Sequence, residues 1–126
     1  MKRNFLFVLM LVTMGLFGCS SGLDSKGAAY VKGRELFLSK DYDSAIEQFN
    51  KVIEMDEKFV EAYKIRGNCY LALKKNDEAV KDFSKAIELN PDNRGAYLNR
   101  SLAYKAMGKL PQAKADALKA NKMSDW

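Results

Sequence analysis

The chain has 126 residues, 48% of them hydrophobic and 29% charged, proportions ordinary for one helical domain. Its formal charge of +5 rests partly on Lys2 and Arg3 at the start. The remainder is only mildly basic and lacks the concentrated cationic face that nucleic-acid binding requires. No histidine is present, which removes the commonest general base and metal ligand, and the two prolines with no long Gly/Ser tract leave no linker for a second domain.

Taken in chain order, Lys2 and Arg3 precede an apolar run, Phe5–Phe17, that closes on Leu16-Phe17-Gly18-Cys19. About thirteen apolar residues are too few to span a bilayer comfortably, which takes roughly twenty, and the flanks suit an export signal. The Leu-x-Gly-Cys ending resembles the lipobox of bacterial lipoproteins. That resemblance implies a signal peptide over 1–18, a lipidated Cys19 as first residue of the mature chain, and a polar tether over 19–25 through Ser20-Ser21-Gly22. Each buried methylene contributes about 0.8 kcal/mol, so the several acyl chains (palmitate and its like) on such a cysteine would hold the protein permanently at a membrane. With Ser20 rather than an acidic residue next to Cys19, the resemblance points to the outer membrane of a Gram-negative envelope, facing the periplasm. Once Cys19 carries lipid, Cys69 is the only thiol left, so no internal disulfide forms and Cys69 is expected to be a small buried hydrophobe.

Residues 26–126 carry the folded domain. Apolar periodicity predicts six helices in three hairpins: 27–39 with 43–55, 60–73 with 77–89, and 94–107 with 110–122. Asp41 and Asn76 are placed to cap second helices, with Asp43 and Glu78 in the favourable first turn. Pro91 ends the fourth helix and Asn93 starts the fifth; Gly108 suits a left-handed helix end, and Pro111 a first helical turn. Lys40 and Lys75 are expected where Gly108 stands in the third hairpin, at some strain.

The clearest unit is 60–93, where small residues (Gly67, Ala79, Ala86) interleave with rings (Tyr63, Tyr70, Phe83) at helical spacing. Its pattern recurs 34 positions away on both sides: Gly33, Gly67 and Ser101; Leu36, Tyr70 and Tyr104; Ala45, Ala79 and Ala113. Phe49 and Phe83 repeat likewise. A helix–turn–helix period of this length signals a solenoid. Tyr63-x2-Arg66-Gly67-x2-Tyr70, Ala79-x3-Phe83 and Pro91 resemble the tetratricopeptide repeat, with Tyr for that family's Trp and Arg for its Leu. The resemblance implies an all-α right-handed superhelix of three repeats, 26–59, 60–93 and 94–126. In equivalent second-helix positions, Ile46 and Val80 become Lys114, Ile53 and Ile87 become Asn121, and Phe49 and Phe83 become Ala117. The face that would cover a further repeat thus turns polar or small, and the array is expected to end there. Trp126 lies past the last helix, either folded back on Met123 or frayed.

Nothing in the sequence has the pattern of a catalytic site, a metal site, a cofactor loop or a small-molecule pocket; carboxylates such as Glu54, Asp56 and Glu57 sit at a helix end facing solvent. The expected activity is binding. In the family the first helices line a concave groove that takes peptides, and the matching positions are Tyr30, Arg34, Phe37 and Leu38, then Lys64, Asn68 and Leu71, then Leu98, Asn99, Leu102 and Lys105. Apolar residues with a few cations and amides, opposed only by Glu61, suit a peptide with aliphatic or aromatic anchors and a carboxylate. Tyr30, Phe37 and Leu102 have a competing reading as core residues. Lys64, Asn68 and Asn99 have the spacing of the first part of the carboxylate clamp of chaperone-binding members, whose other cations come from a further repeat; the asparagines equally suit hydrogen bonding within the groove. The whole reads as an envelope-anchored interaction scaffold or assembly factor for pilus, secretin, outer-membrane protein or cell-wall complexes. The alternative is a periplasmic chaperone-like holder of unfolded or C-terminal peptides. Pairing of solenoid ends would give a weak dimer.

Overall fold

The computed structural model describes residues 24–123. The expected signal peptide over 1–18, Cys19 with most of the tether, and Trp126 lie outside the described residues. Six helices follow one another: α1 Ser25–Leu38, α2 Tyr42–Met55, α3 Val60–Ala72, α4 Asn76–Leu89, α5 Arg94–Ala106 and α6 Leu110–Lys122. Among the described residues there is no strand.

Local chemistry sets the helix ends. Oδ1 of Asp24 accepts from the Gly27 amide at 2.6 Å, so α1 begins inside the expected tether. Asp41 accepts from Ser44 (3.3 Å) and Asn93 from Ala96 (3.1 Å), each satisfying an amide that the helix leaves unpaired. Asn76 does not cap α4: it is the first helical residue, and Lys75 ahead of it offers no side-chain acceptor. Each hairpin turns on one left-handed residue, Lys40 (φ 65°), Lys74 (φ 59°) and Gly108 (φ 73°). The strained lysine of the second repeat is therefore Lys74, one residue before the expected Lys75. The next amide in each turn, of Asp41, Lys75 and Lys109, donates to the carbonyl of Leu36, Tyr70 and Tyr104, closing the helix end.

Inside each hairpin the fit depends on one small residue. A Cβ on Gly33 would lie 2.9 Å from Cζ of Phe49, and one on Gly67 would lie 2.7 Å from Cε1 of Phe83. Both rings are fully buried. Ser101 fills the equivalent place in the third repeat because the residue opposite, Ala117, has no ring, and its hydroxyl donates to the Ala113 carbonyl at 2.7 Å. The core continues along the array through Ala45, Val52, Ala62, Cys69, Ala86, Ala96 and Ala103, all fully buried. Cys69 is fully buried, as expected, and burial pushes its thiol up to about 12.

An unforeseen polar ladder joins the repeats. Arg66 makes two parallel bonds to the Asp82 carboxylate (2.8 and 2.7 Å), and its Nη1 donates to Asn50 of the preceding repeat at 2.7 Å. Arg100 repeats this with Asp116 (2.7 and 2.8 Å) and Ser84 (2.9 Å). Each guanidinium lies between two tyrosines, Tyr63 and Tyr70 or Tyr97 and Tyr104, about 5.7–5.9 Å from the ring centroids. Burial alone would pull Arg66 down, but its bonds to Asp82 outweigh this and hold it above its ordinary range.

Contacts define the curvature. Every helix packs on its sequence neighbour, and α1 also touches α3, and α3 touches α5. The second helices α2, α4 and α6 stay out of one another's reach. The layer of first helices is therefore the inner, shorter-radius wall.

Candidate peptide-binding surface

The inner wall begins at a cleft of about 310 Å³ between α1 and α3, lined by Tyr30, Arg34, Phe37, Leu38, Glu61 and Ile65. Tyr30 is half-buried, packed edge-on against Phe59 (centroids 5.1 Å) and Phe49 (6.2 Å), so its ring belongs to the core while one side faces the cleft. Burial, then the nearby Glu61 charge, raises its phenol above the ordinary value against the lowering effect of Arg34. The Arg34 guanidinium is exposed and lies 5.8 Å from the Tyr30 ring centroid. Phe37 packs against the core and against Tyr42 (5.9 Å), and also lines the cleft. These two aromatic residues therefore pack in the core with one side left in the cleft. Leu38 is three-quarters exposed.

Further along, Lys64 is tied to Glu61 at 2.9 Å, and Asn99 donates through Nδ2 to Oδ1 of Asn68 at 2.8 Å. The three clamp-like residues thus already have partners within the protein. Leu71 packs against Ala79, Phe83 and Ala103 and contributes to the joint between repeats rather than to an open wall. In the third repeat Leu98, Asn99, Leu102 and Lys105 line a second, more open hollow of about 660 Å³, together with Ser101, Leu110, Ala113, Lys114 and Ala117. Leu102 is exposed, which settles its side of the core-or-surface question.

The open end is less polar than expected. Lys114 and Asn121 are exposed there, but so are Leu102 (55%), Leu110 (61%) and Leu118 (51%). Leu118 holds the position at which Asn50 and Ser84 accept from the next repeat's arginine, a triplet whose change runs from polar to apolar.

Helical hairpins stacked in register around a concave wall define an α-solenoid of the kind that presents a surface to another polypeptide. Residues 60–93, and with them 27–59 and 95–125, match the tetratricopeptide repeat, and the chain belongs to that family. Its structure is similar to the second such domain of Spaghetti (RPAP3) bound to an HSP90 peptide, SRMEEVD, at 28% identity and TM-score 0.76, covering 79% of this chain and 93% of that one. The second domain of human RPAP3 in complex with an HSP70 peptide, SGPTIEEVD, is equally similar (28% identity, TM-score 0.76, 79% and 82% covered). MamA gives 26% identity and TM-score 0.78 over 82% of this chain and 61% of that one. Among curated protein sequences none matches this chain.

Proposed function

We propose that the protein is an envelope-anchored adaptor that gathers a partner polypeptide on the inner wall of its three repeats and performs no chemistry of its own. The observation that carries this is the wall itself: a cleft of mixed character at Tyr30, Phe37 and Leu38, with Arg34 and Glu61 in its lining, followed past Lys64 by a mainly apolar hollow at Leu102 and Lys105. Such a surface suits an extended or helical peptide with one or two apolar anchors and a carboxylate. The anchoring half of the proposal rests on Lys2, Arg3, the apolar run and Leu16-Phe17-Gly18-Cys19, with lipid on Cys19. Assembly of pilus, secretin, outer-membrane protein or cell-wall complexes is the work such an adaptor would serve.

A second reading, a holder of C-terminal or unfolded peptides, is favoured by the likeness to domains bound to chaperone C-termini ending in EEVD. Photo-crosslinking from Asn68 or Leu102 separates the two: one dominant adduct supports the adaptor, a broad set the holder, and no adduct from either site overturns the groove. Metabolic labelling with palmitate tests the anchor, and a full chain whose label survives Cys19→Ala would overturn it.

A further inference from the structure

The array shows what covers each of its own ends. Against α1 and α2 lies α3, and against α3 and α4 lies α5. At α5 and α6 the equivalent surface is open among the described residues, with Leu102, Leu110 and Leu118 exposed. Three departures from the repeat pattern describe the helix that fits there. First, Phe49 and Phe83 fill the interior of their hairpins, whereas Ala117 leaves part of that volume empty beside Ser101, within the hollow of about 660 Å³. An incoming helix can therefore supply a bulky side chain where α3 and α5 present fully buried small residues (Ala62 and Cys69, Ala96 and Ala103). Second, Leu118 replaces the acceptors Asn50 and Ser84, so the incoming helix needs an apolar residue where Arg66 and Arg100 stand. Third, Lys105 and Lys114 line the hollow, and among the described residues neither has a carboxylate within salt-bridge distance. A second copy continuing the array would bring its Lys32, the residue in the arginine register, against Leu118. Lys32 matches that apolar position less well than an aliphatic residue would.

We infer that the end face of α5 and α6 is a docking site for an amphipathic helix of another protein, one with a bulky apolar anchor that enters beside Ser101 and Ala117 and acidic residues that meet Lys105 and Lys114. The site is separate from the α1–α3 cleft, but Leu98, Leu102 and Lys105 belong both to it and to the far end of the inner wall of the proposed function.

The test uses the full chain, labelled with nitrogen-15, and a synthetic stapled helix that carries one phenylalanine on an alanine-rich face with glutamates along both flanks. Binding is expected to shift amides of α5 and α6 around Ser101–Lys105 and Lys114–Leu118. Replacing the probe's phenylalanine by alanine is expected to weaken binding about tenfold or more. Lys105→Glu with Lys114→Glu is expected to weaken it about fivefold and to reverse its dependence on salt. Ser101→Gly with Ala117→Phe restores the pair found at Gly33 and Phe49 and fills the hollow from within. That variant should melt no lower than the parent, yet bind about tenfold more weakly. The inference is overturned by absent shifts, by shifts confined to the α1–α3 cleft, by unaltered affinity in the filled variant, or by self-association through these residues without probe. Arg34→Ala and Lys64→Ala should leave probe binding unchanged, so failure at this face and failure of the groove are told apart.

Discussion

Substituting Gly67 by alanine sets two effects of opposite sign against each other. Alanine gains about 0.8–1.0 kcal/mol over glycine inside a helix. At Gly67, however, the new methyl would lie 2.7 Å from Cε1, 3.0 Å from Cδ1 and 3.1 Å from Cζ of Phe83. That ring is fully buried and close to Ala79 and Ala103, so it cannot swing into solvent. Overpacking of a filled core costs about 1–3 kcal/mol, and contacts this short place the cost at the upper end. The expected net loss is about 1–2 kcal/mol. Gly95→Ala is the control: its nearest neighbours are Oδ1 of Asn93 at 3.6 Å and Cδ of Lys64 at 4.0 Å, so the same change should be neutral or stabilise by about 0.5 kcal/mol. Urea denaturation followed by circular dichroism measures both. A Gly67→Ala protein as stable as the parent would refute the claim that glycine is required by the ring. In the double variant Gly67→Ser with Phe83→Ala, which copies the Ser101 and Ala117 pair, the two losses should add to less than their sum.

Arg66→Ala leaves the Asp82 carboxylate buried and unpaired, and should cost about 3–5 kcal/mol in the same assay; Arg66→Met with Asp82→Leu should recover most of it. Lys40→Gly and Lys74→Gly relieve left-handed backbone and should each stabilise by about 0.5–1 kcal/mol, while Gly108→Ala should cost a similar amount although its Cβ would touch nothing. The Cys69 thiol ionises in the unfolded chain near its ordinary 9.0 but only at about 12 in the folded one. Its contribution is therefore complete below pH 9 and lost as pH rises from about 9 to about 12. The stability advantage of the parent over Cys69→Ala, read from urea midpoints at increasing pH, should shrink across that window; a constant difference would contradict it. Glu61→Gln frees Lys64 from its ion pair and should tighten binding of an acidic peptide in the groove severalfold, measured by fluorescence anisotropy.

Much of this architecture was legible because the glycine-and-ring pairing recurs at one fixed offset, and a period needs no knowledge of contacts. What escaped were features that a period does not mark. The cap at Asp24 stands apart from the first apolar run and looked like tether. The strained lysine is Lys74 rather than the expected Lys75, as the offset of 34 from Lys40 requires. The Arg66–Asp82 and Arg100–Asp116 pairs do recur 34 apart, but each joins residues on opposite sides of a turn, and only packing reveals that they meet. At the open end the triplets change in both directions: Ile46, Val80 and Lys114 turn polar, whereas Asn50, Ser84 and Leu118 turn apolar. Of the expected groove positions, Leu71 lies in the joint between repeats, and which of the others are free or already bonded depends on side-chain geometry.

That distinction matters for how the groove can recognise anything. Asn68 and Asn99 hold each other across the joint between the second and third repeats through a bond worth about 0.5–1.5 kcal/mol, which fixes how each is presented to a ligand. Lys64 is different. Its partner Glu61 is partly exposed and on the same helix, an ion pair of about 0–1 kcal/mol that an incoming carboxylate can replace at little cost. Arg34 is exposed, lies 5.8 Å from the Tyr30 ring centroid and interacts with the Tyr30 phenol. Recognition on the inner wall would therefore rest on Arg34 and Lys64, with the asparagines setting the curvature against which those two cations are spaced. A groove read by cations at its first two repeats and an end face flanked by Lys105 and Lys114 would both select acidic partners. Yet they differ in what they ask of the backbone: the first accepts any chain that can lie along a shallow wall, the second only one already folded as a helix.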